Sequence, residues 1–163
     1  MAAPLAEETA ESYFLKYAWP CTFIIRLRGK VDAATFSLLE KSALEGRPVE
    51  RAVLERVYHK AMARMREVAR KMGKNDVWDK EIVREYFVNR HNGMIAEDEA
   101  YQEAPASLRE MCKTVKAKIA DARPGFFVVV VEGKPRTVSD IFVPDARIGD
   151  SVIVHYGYAI EKA

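Results

Sequence analysis

Two cysteines and three histidines are the side chains of this sequence best suited to bind a metal ion or to act as nucleophiles. They are Cys21, Cys112, His59, His91 and His155. One pair of cysteines cannot build a disulfide framework, and a thiol in a reducing compartment is more often buried, redox-active or metal-binding. No Cys-x-x-Cys pair is present, and two cysteines with one histidine give fewer than the four ligands of a structural zinc site. The sequence therefore offers candidate ligands without a complete structural zinc motif.

The sequence contains none of the common catalytic motifs. It has no Gly-x-Ser-x-Gly, no Gly-rich phosphate loop, no His-Glu-x-x-His and no acidic cluster with metal-ligand spacing. Gly133-Lys-Pro predicts a turn rather than a phosphate-binding loop. We therefore expect a protein that is not an enzyme.

Composition places the chain among ordinary soluble proteins. It has 163 residues, 49% of them hydrophobic and 31% charged, which suits one domain or two small ones. The net charge of +2 is too small to indicate a nucleic-acid partner. The longest apolar stretches, Cys21–Ile25 and Phe126–Val131, are too short to span a bilayer, and the N-terminus lacks the pattern of a secretory signal. We expect a cytoplasmic protein.

Residues 1–93 predict a helical unit with a loose N-terminus. A helix is expected from Ser12, and it should end at or before Trp19, because the residue before Pro20 avoids the α region. The next run, Thr22–Leu27, is compatible with a short strand or with a helix, since periodicity alone does not decide.

Three further helices are predicted from apolar residues at three- and four-residue steps and from end signals. The first spans residues 32–46 and has Asp32 as its N-cap. The second is one long helix over residues 48–73, and the third spans residues 76–93 and ends at Asn92-Gly93. The apolar stripe of the long helix comprises Leu54, Tyr58, Ala61, Met65, Val68 and Met72.

Two histidines fall within these predicted helices. His59 lies among basic residues and is expected at the surface. His91 lies at the predicted end of the third helix, where a protonated imidazole interacts favourably with the helix dipole and the last carbonyl groups. We expect His91 to cap that helix, and contact with a partner through Arg90, His91 and Asn92 is the alternative.

Basic residues are concentrated on the long predicted helix. They form two rows at i, i+4 spacing beside the apolar stripe: Arg56, Lys60, Arg64, Arg66, Arg70 and Lys74. A solvated face is the simplest interpretation, and a docking surface for an acidic protein is the functional one. Nucleic-acid binding is a third interpretation, but the predicted strands show no alternation of basic and aromatic residues that would favour it.

The pattern changes from helix to strand in the last part of the chain. Residues 94–110 are acidic and predict a linker, with a short helix after Pro105. Beyond Cys112, apolar residues alternate with lysines, and short strands are separated by connections rich in Gly and Pro. The later predicted strands are Phe126–Val131, Thr137–Val143 and Ser151–Tyr156. We predict an α+β protein, in which a helical unit precedes a small OB-like β-barrel over residues 111–163.

Two motifs mark the ends of the predicted barrel. Met111-Cys112 stands at its start, and residues 149–160 read Gly-Asp-Ser-Val-Ile-Val-His-Tyr-Gly-Tyr-Ala-Ile. Together they resemble the HypC/HupF family of [NiFe]-hydrogenase maturation chaperones, which are small OB-like barrels that begin Met-Cys and carry a similar signature near their end. The motif positions expected to shape the barrel are Gly149, Asp150, Gly157 and Tyr158.

The resemblance implies a carrier of a metal unit. Members of that family hold the iron of an Fe(CN)₂CO unit together with a HypD-type protein and pass it to the hydrogenase large-subunit precursor. The cysteine of the family matches Cys112 and its histidine matches His155, so these residues would contact the iron unit or its donor protein. Cys21 is the candidate for an additional thiolate at the same site. No permanent cofactor is implied, only transient Fe(CN)₂CO.

Alternatives remain at each of these positions. Cys21 and Cys112 could be core thiols, and His155 could be a buried histidine whose role is structural. Cys112 is internal, so its backbone nitrogen is an amide, and the segment Lys113–Ala117 is more charged than its family counterpart. A protein-interaction module that has lost metal handling is therefore the second hypothesis, and single-stranded RNA binding by the barrel is the third.

Overall fold

Helices form the first part of the chain and strands the last, in a computed structural model that describes residues 7–163. The helices are α1 (Ala10–Leu27), α2 (Ala33–Glu45), α3 (Arg51–Val57), α4 (His59–Lys71), α5 (Lys80–Arg84), α6 (His91–Glu97), α7 (Glu99–Gln102) and α8 (Ala106–Met111), with a π-helical segment, Glu85–Arg90, between α5 and α6. The strands are β1 (Thr114–Arg123), β2 (Phe126–Val131), β3 (Lys134–Ser139), β4 (Ser151–His155) and β5 (Tyr158–Lys162). The predicted α+β class is confirmed. The expected loose N-terminus lies mostly outside the described residues.

Helix α1 continues through Pro20, so the prediction that it ends by Trp19 is wrong. Proline removes one N–H donor, here the partner of the Lys16 carbonyl group, but leaves the other helical hydrogen bonds in place. Residues on both sides of the proline are buried, Trp19 in the main core of the helices and Ile24 in a smaller cluster. That burial outweighs the lost hydrogen bond, and Thr22–Leu27 is helical as a result.

The long helix predicted over residues 48–73 is divided into α3 and α4. It begins at Arg51 rather than near Pro48, and it breaks at Tyr58, whose backbone has φ −106° and ψ 37°. The Tyr58 hydroxyl group is hydrogen-bonded to Thr22 Oγ1 of α1 at 2.6 Å. Its ring also packs edge-on against Phe14, with ring centroids 5.4 Å apart. These contacts hold Tyr58 in a non-helical conformation that the uniform apolar spacing did not predict.

The third predicted helix starts later and extends further than expected. Its N-cap is Asp79 rather than a residue near Asp76, and the chain passes through the π-helical segment into α6. Asn92 and Gly93 lie inside α6, so the predicted end there is wrong. The Asn92 amide instead donates to the Thr114 carbonyl oxygen at 2.7 Å and accepts from the Thr114 N–H at 2.8 Å. Asn92 thus attaches the helices to the start of β1.

Residues 94–110, expected as an acidic linker, contain the end of α6, then α7 and α8. The short helix predicted after Pro105 is α8, and Pro105 is its N-cap. Ile95 is buried in a small cluster with Ile24 of α1 and Cys112. This segment therefore packs against both the helices and the start of the barrel.

The five strands close into a barrel in the order β1-β2-β3-β5-β4. Neighbouring strands are antiparallel except β3 and β5, which pair in parallel through Ser139 and Tyr158. Apolar residues of alternating position fill the interior, among them Ile119, Phe127, Val129 and Val152. The predicted small barrel is confirmed. The strand predicted over Thr137–Val143 ends at Ser139, because the chain turns there and the Val143 N–H donates to the Asp140 carbonyl oxygen.

A second hydrophobic core, separate from the barrel interior, joins the barrel to the helices. Ile153 and Ile160 of the barrel pack among the buried side chains of the helices. Glu161 adds a polar contact, since its carboxylate accepts hydrogen bonds from the hydroxyl groups of Tyr13 and Tyr17. Within residues 7–163, no helix is both long and apolar enough to cross a lipid bilayer.

Candidate functional site

Three potential metal ligands meet where the helices contact the barrel. Cys21 lies on α1, His91 begins α6 and His155 ends β4. Cys21 Sγ is 3.5 Å from His155 Nε2 and 3.8 Å from His91 Nε2. One ligand atom from each of the three residues lies within 4.8 Å of the others. We call these three residues the Cys-His-His cluster.

His155 is fully buried, with 0% of its surface exposed. Its Nδ1 atom lies 2.7 Å from the Tyr17 carbonyl oxygen, and only an N–H can make that contact with an acceptor. The Nε2 atom of the neutral ring therefore carries its lone pair toward Cys21. Burial lowers the pKa of His155 to about 4, so the neutral form prevails at physiological pH.

His91 is buried as well, and the capping role predicted for it is wrong. It opens α6 instead of ending a helix, and only 4% of its surface is exposed. Its ring lies 4.9 Å from that of His155, centroid to centroid. Burial, reinforced by His155, holds the pKa of His91 well below its usual range. Among the described residues its Nδ1 atom has no hydrogen-bond partner although it is buried.

Cys21 is half-buried and lies at the junction of the cluster with a cavity. Desolvation is the main reason that its thiol pKa is raised, so the thiol is protonated at neutral pH in the absence of a bound cation. Cys21 thus lies beside His155, as the proposed shared site requires, whereas that site was also expected to include the thiol of Cys112.

The backbone of Cys112 lies close in space to that of His155, but the Cys112 thiol is not part of the cluster. The strand register pairs Thr114 with His155, and the Tyr156 N–H donates to the Met111 carbonyl oxygen at 2.9 Å. The Cys112 side chain is 0% exposed and packs with apolar residues, and burial raises the pKa of its thiol to about 11. The two residues taken from the resemblance thus lie at one rim of the barrel, with the thiol covered.

A cavity of about 480 Å³ opens beside the cluster. Cys21 and His91 form part of its wall. Positively charged side chains surround it, together with Asp98: Arg28, Lys30, Arg56, Lys60 and Arg64. The cavity therefore leads from a mostly basic rim to the cysteine and histidine side chains.

The six basic residues predicted to form a docking surface are divided between two regions. Arg56, Lys60 and Arg64 line the cavity, and the last two lie 3.4 and 3.8 Å from the Asp98 carboxylate. The other three, Arg66, Arg70 and Lys74, lie elsewhere on the surface. Among these, Arg66 is 3.9 Å from Glu55, and Lys74 pairs with Asp79 and Glu81. His59 is exposed, as predicted.

The glycines and polar residues of the C-terminal motif close the barrel. Gly149 has φ +94°, a conformation that favours glycine, and its N–H donates to the Ile119 carbonyl oxygen. Asp150 accepts from the Arg147 N–H at 2.9 Å. The Gly157 carbonyl oxygen accepts from the Ser139 N–H, which joins β3 to the turn before β5. The Tyr158 hydroxyl group accepts from Trp19 Nε1 at 3.3 Å, so this residue also joins the barrel to α1.

Residues 111–163 match the family model of the HupF/HypC family. We call this part, about a third of the chain, the HupF/HypC segment. The resemblance inferred from the two motifs is confirmed over this segment, and the match supports a general role in hydrogenase maturation, with contacts to that machinery. A search of curated proteins found no match to the chain. Cys112 and His155 lie within the segment, whereas Cys21 and His91 precede it.

Sequence reasoning identified two members of the cluster and missed the third. His91 was taken for a cap because Asn92-Gly93 resembled a helix end. A signal was nevertheless present, since His91 follows the apolar Phe87 by four residues and shares its helical face. The π-helical segment before it is the kind of irregularity that often accompanies functional sites.

Proposed function

We propose that this protein is a cytoplasmic maturation chaperone that assists delivery of an Fe(CN)₂CO unit to a [NiFe]-hydrogenase-type large subunit. The observation that carries the proposal is the HupF/HypC match over a segment that folds as a closed barrel. A HypD-like protein is the proposed donor, and the large-subunit precursor is the proposed recipient.

The iron unit is cargo, and His155 with a thiolate is the proposed contact for it. A thiolate is a soft ligand suited to low-spin iron, and the imidazole Nε2 of His155 is neutral and unprotonated. Cys112 is the thiol that matches the family, and Cys21 is the thiol nearer to His155 Nε2. Because Cys112 is fully buried, its contact with iron requires the side chains that cover it to move when the donor binds.

The basic rim of the cavity is the proposed partner surface. Arg56 and Lys60 are exposed there, and an acidic patch on the donor or the recipient would complement them. Docking at this rim would place the partner next to Cys21. Arg66, Arg70 and Lys74 lie away from the cavity and would add to steering rather than to the contact itself.

Anaerobic affinity purification of the full chain from a cell that makes [NiFe]-hydrogenase tests the proposal. We expect a HypD-like protein or a large-subunit precursor in the captured fraction, together with CN and CO stretching bands in the infrared spectrum. The variant His155→Gln should lose the infrared bands, whereas the surface variant Arg123→Gln should retain them. Capture of neither protein, with no such bands from the unmodified chain, would contradict the proposal.

An interaction module without metal handling is the second candidate, and the burial of Cys112 favours it. A thiol with 0% exposure is not poised to bind cargo, and the barrel would then serve assembly only. The same purification separates the two functions, because the module predicts the partner protein without iron and without infrared bands. The variant Cys112→Ala would then leave client maturation unchanged.

A further inference from the structure

We infer that Cys21, His91 and His155 form a three-ligand site for a divalent transition-metal ion of the Zn²⁺ type, with a fourth position open to the cavity. Two of the three ligands lie outside the HupF/HypC segment. The inference shares Cys21 and His155 with the proposed iron contact, but it rests on the geometry of the cluster and not on the proposed function.

The sulfur–nitrogen distances within the cluster fit tetrahedral coordination. With a Zn–S bond of about 2.3 Å and Zn–N bonds of about 2.0–2.1 Å, a tetrahedral ion separates its sulfur and nitrogen ligands by about 3.6 Å. Cys21 Sγ is 3.5 Å from one histidine Nε2 and 3.8 Å from the other. The two histidine nitrogens lie within 4.8 Å of each other. A tetrahedral ion separates two nitrogen ligands by about 3.3 Å, so binding requires the two imidazole rings to move closer together.

The hydrogen bond of His155 is the kind of contact that supports a metal ligand. Metal-bound histidines commonly donate their second N–H to a carbonyl or carboxylate group, which fixes the tautomer and orients the ring. Here Nδ1 donates to the Tyr17 carbonyl oxygen and leaves Nε2 free. The His91 ring is buried beside it with its Nε2 atom 3.8 Å from Cys21 Sγ, so an ion among these atoms would provide that nitrogen with a strong partner.

Binding of the ion exchanges one proton for one metal–sulfur bond. The Cys21 thiol releases its proton to solvent through the cavity, and the resulting thiolate and two neutral imidazoles leave a complex with charge +1. Three protein ligands and one open position are typical of zinc sites that bind an exchangeable ligand. Arg56 and Lys60 at the rim favour an anion, such as hydroxide or a carboxylate, in that position.

Titration of the purified, metal-free full chain with Co²⁺ tests the site, since cobalt replaces zinc and absorbs visible light. We expect one Co²⁺ per chain, ligand-field bands of four-coordinate cobalt, and a thiolate-to-cobalt charge-transfer band. Zn²⁺ should displace the cobalt. Cys21→Ser and His91→Gln should each weaken binding at least about 100-fold, since even loss of a supporting contact around a metal typically costs about 10–100-fold.

Two matched variants make the test specific. His59→Gln alters a histidine at the cavity rim, and Cys112→Ser removes the thiol outside the cluster. Both should keep the cobalt spectrum, with circular dichroism confirming that each variant is folded. X-ray absorption of the zinc form should show one sulfur and two imidazole nitrogens. Absence of cobalt binding, or binding that survives Cys21→Ser but is lost in folded Cys112→Ser, would overturn the inference.

Discussion

The Nδ1 atom of His155 lies 2.7 Å from the carbonyl oxygen of Tyr17, and this contact connects the last residue of β4 to the middle of α1. It fixes the tautomer of a fully buried imidazole and directs its Nε2 toward Cys21. Because the acceptor is a backbone atom, the orientation of the ring depends on how α1 is seated against the barrel. Contacts that seat α1 therefore control the geometry of the Cys-His-His cluster.

Glu161 is one of the residues that seat α1, and Glu161→Gln should destabilise the protein. Its carboxylate accepts hydrogen bonds from Tyr13 and Tyr17 and lies 3.1 Å from Arg84. Hydrogen bonds to a charged group contribute about 1.5–3 kcal/mol each, and a neutral amide retains only part of that. We expect a loss of about 1–2 kcal/mol in the free energy of unfolding, measured by urea denaturation.

Asp145→Asn is the matched control, because its carboxylate pairs with Lys162, the next residue of β5, but is largely exposed. No measurable change in the urea midpoint is expected for it. Equal destabilisation by both substitutions would show that Glu161 acts through general surface charge rather than by holding α1.

Asn92→Ala should weaken the attachment of α6 to the barrel. The substitution removes two hydrogen bonds with the Thr114 backbone and leaves a partly buried N–H and carbonyl group without those partners. An unfolding free-energy loss of about 1–3 kcal/mol follows from the desolvation of such groups. Hydrogen exchange at the Thr114 amide should also accelerate. The comparison is Asn89→Ala, which removes only a solvent-exposed hydrogen bond to Glu85. Unchanged exchange in Asn92→Ala would contradict the prediction.

Tyr58→Phe tests the hydrogen bond that Tyr58 makes at the break between α3 and α4. It removes the buried hydrogen bond with Thr22 and keeps the aromatic ring in place. We expect a cost of about 1 kcal/mol in thermal or urea unfolding. In a double-mutant cycle with Thr22→Val, the two substitutions should be non-additive, since each removes the same bond. Additive effects would mean that the bond contributes nothing to holding Tyr58.

The two thiols should differ in reactivity. Cys21 borders the cavity whereas Cys112 is fully buried, so a small alkylating reagent applied to the native protein should modify Cys21 first. Both should react more slowly than a free cysteine, because burial raises both thiol pKa values and lowers the thiolate fraction. Mass spectrometry of peptides after timed quenching measures the order. Faster labelling of Cys112 would contradict the prediction.

Local sequence patterns predicted the barrel and helix α2 well. The alternation along β1 and the turn residues between strands specify the barrel, and Asp32 with Gly46 marks the ends of α2. The failures share a physical cause, since tertiary contacts decided them. Burial on both sides of Pro20 preserves α1, and the bond to Thr22 breaks the long helix at Tyr58.

The cluster was only partly predictable for a related reason. Cys21 and His155 were recognisable as potential ligands. Their proximity, however, depends on how the helical part of the chain packs against the barrel, which the helix and strand patterns do not specify. To predict that His91 joins the cluster, one must know that the helix continues past Gly93. No local residue preference favours that continuation.

The separation of 134 positions between Cys21 and His155 has a consequence for biosynthesis. The ribosome produces the cysteine early. Its histidine neighbour is made only after seven further α-helices, the π-helical segment and strands β1 to β3 have been translated. A nascent chain therefore cannot complete the cluster before β4 has been made, and closing so long a loop is among the slower steps of folding. Occupancy of the cluster would report that synthesis of β4 is finished and that the barrel has docked onto α1.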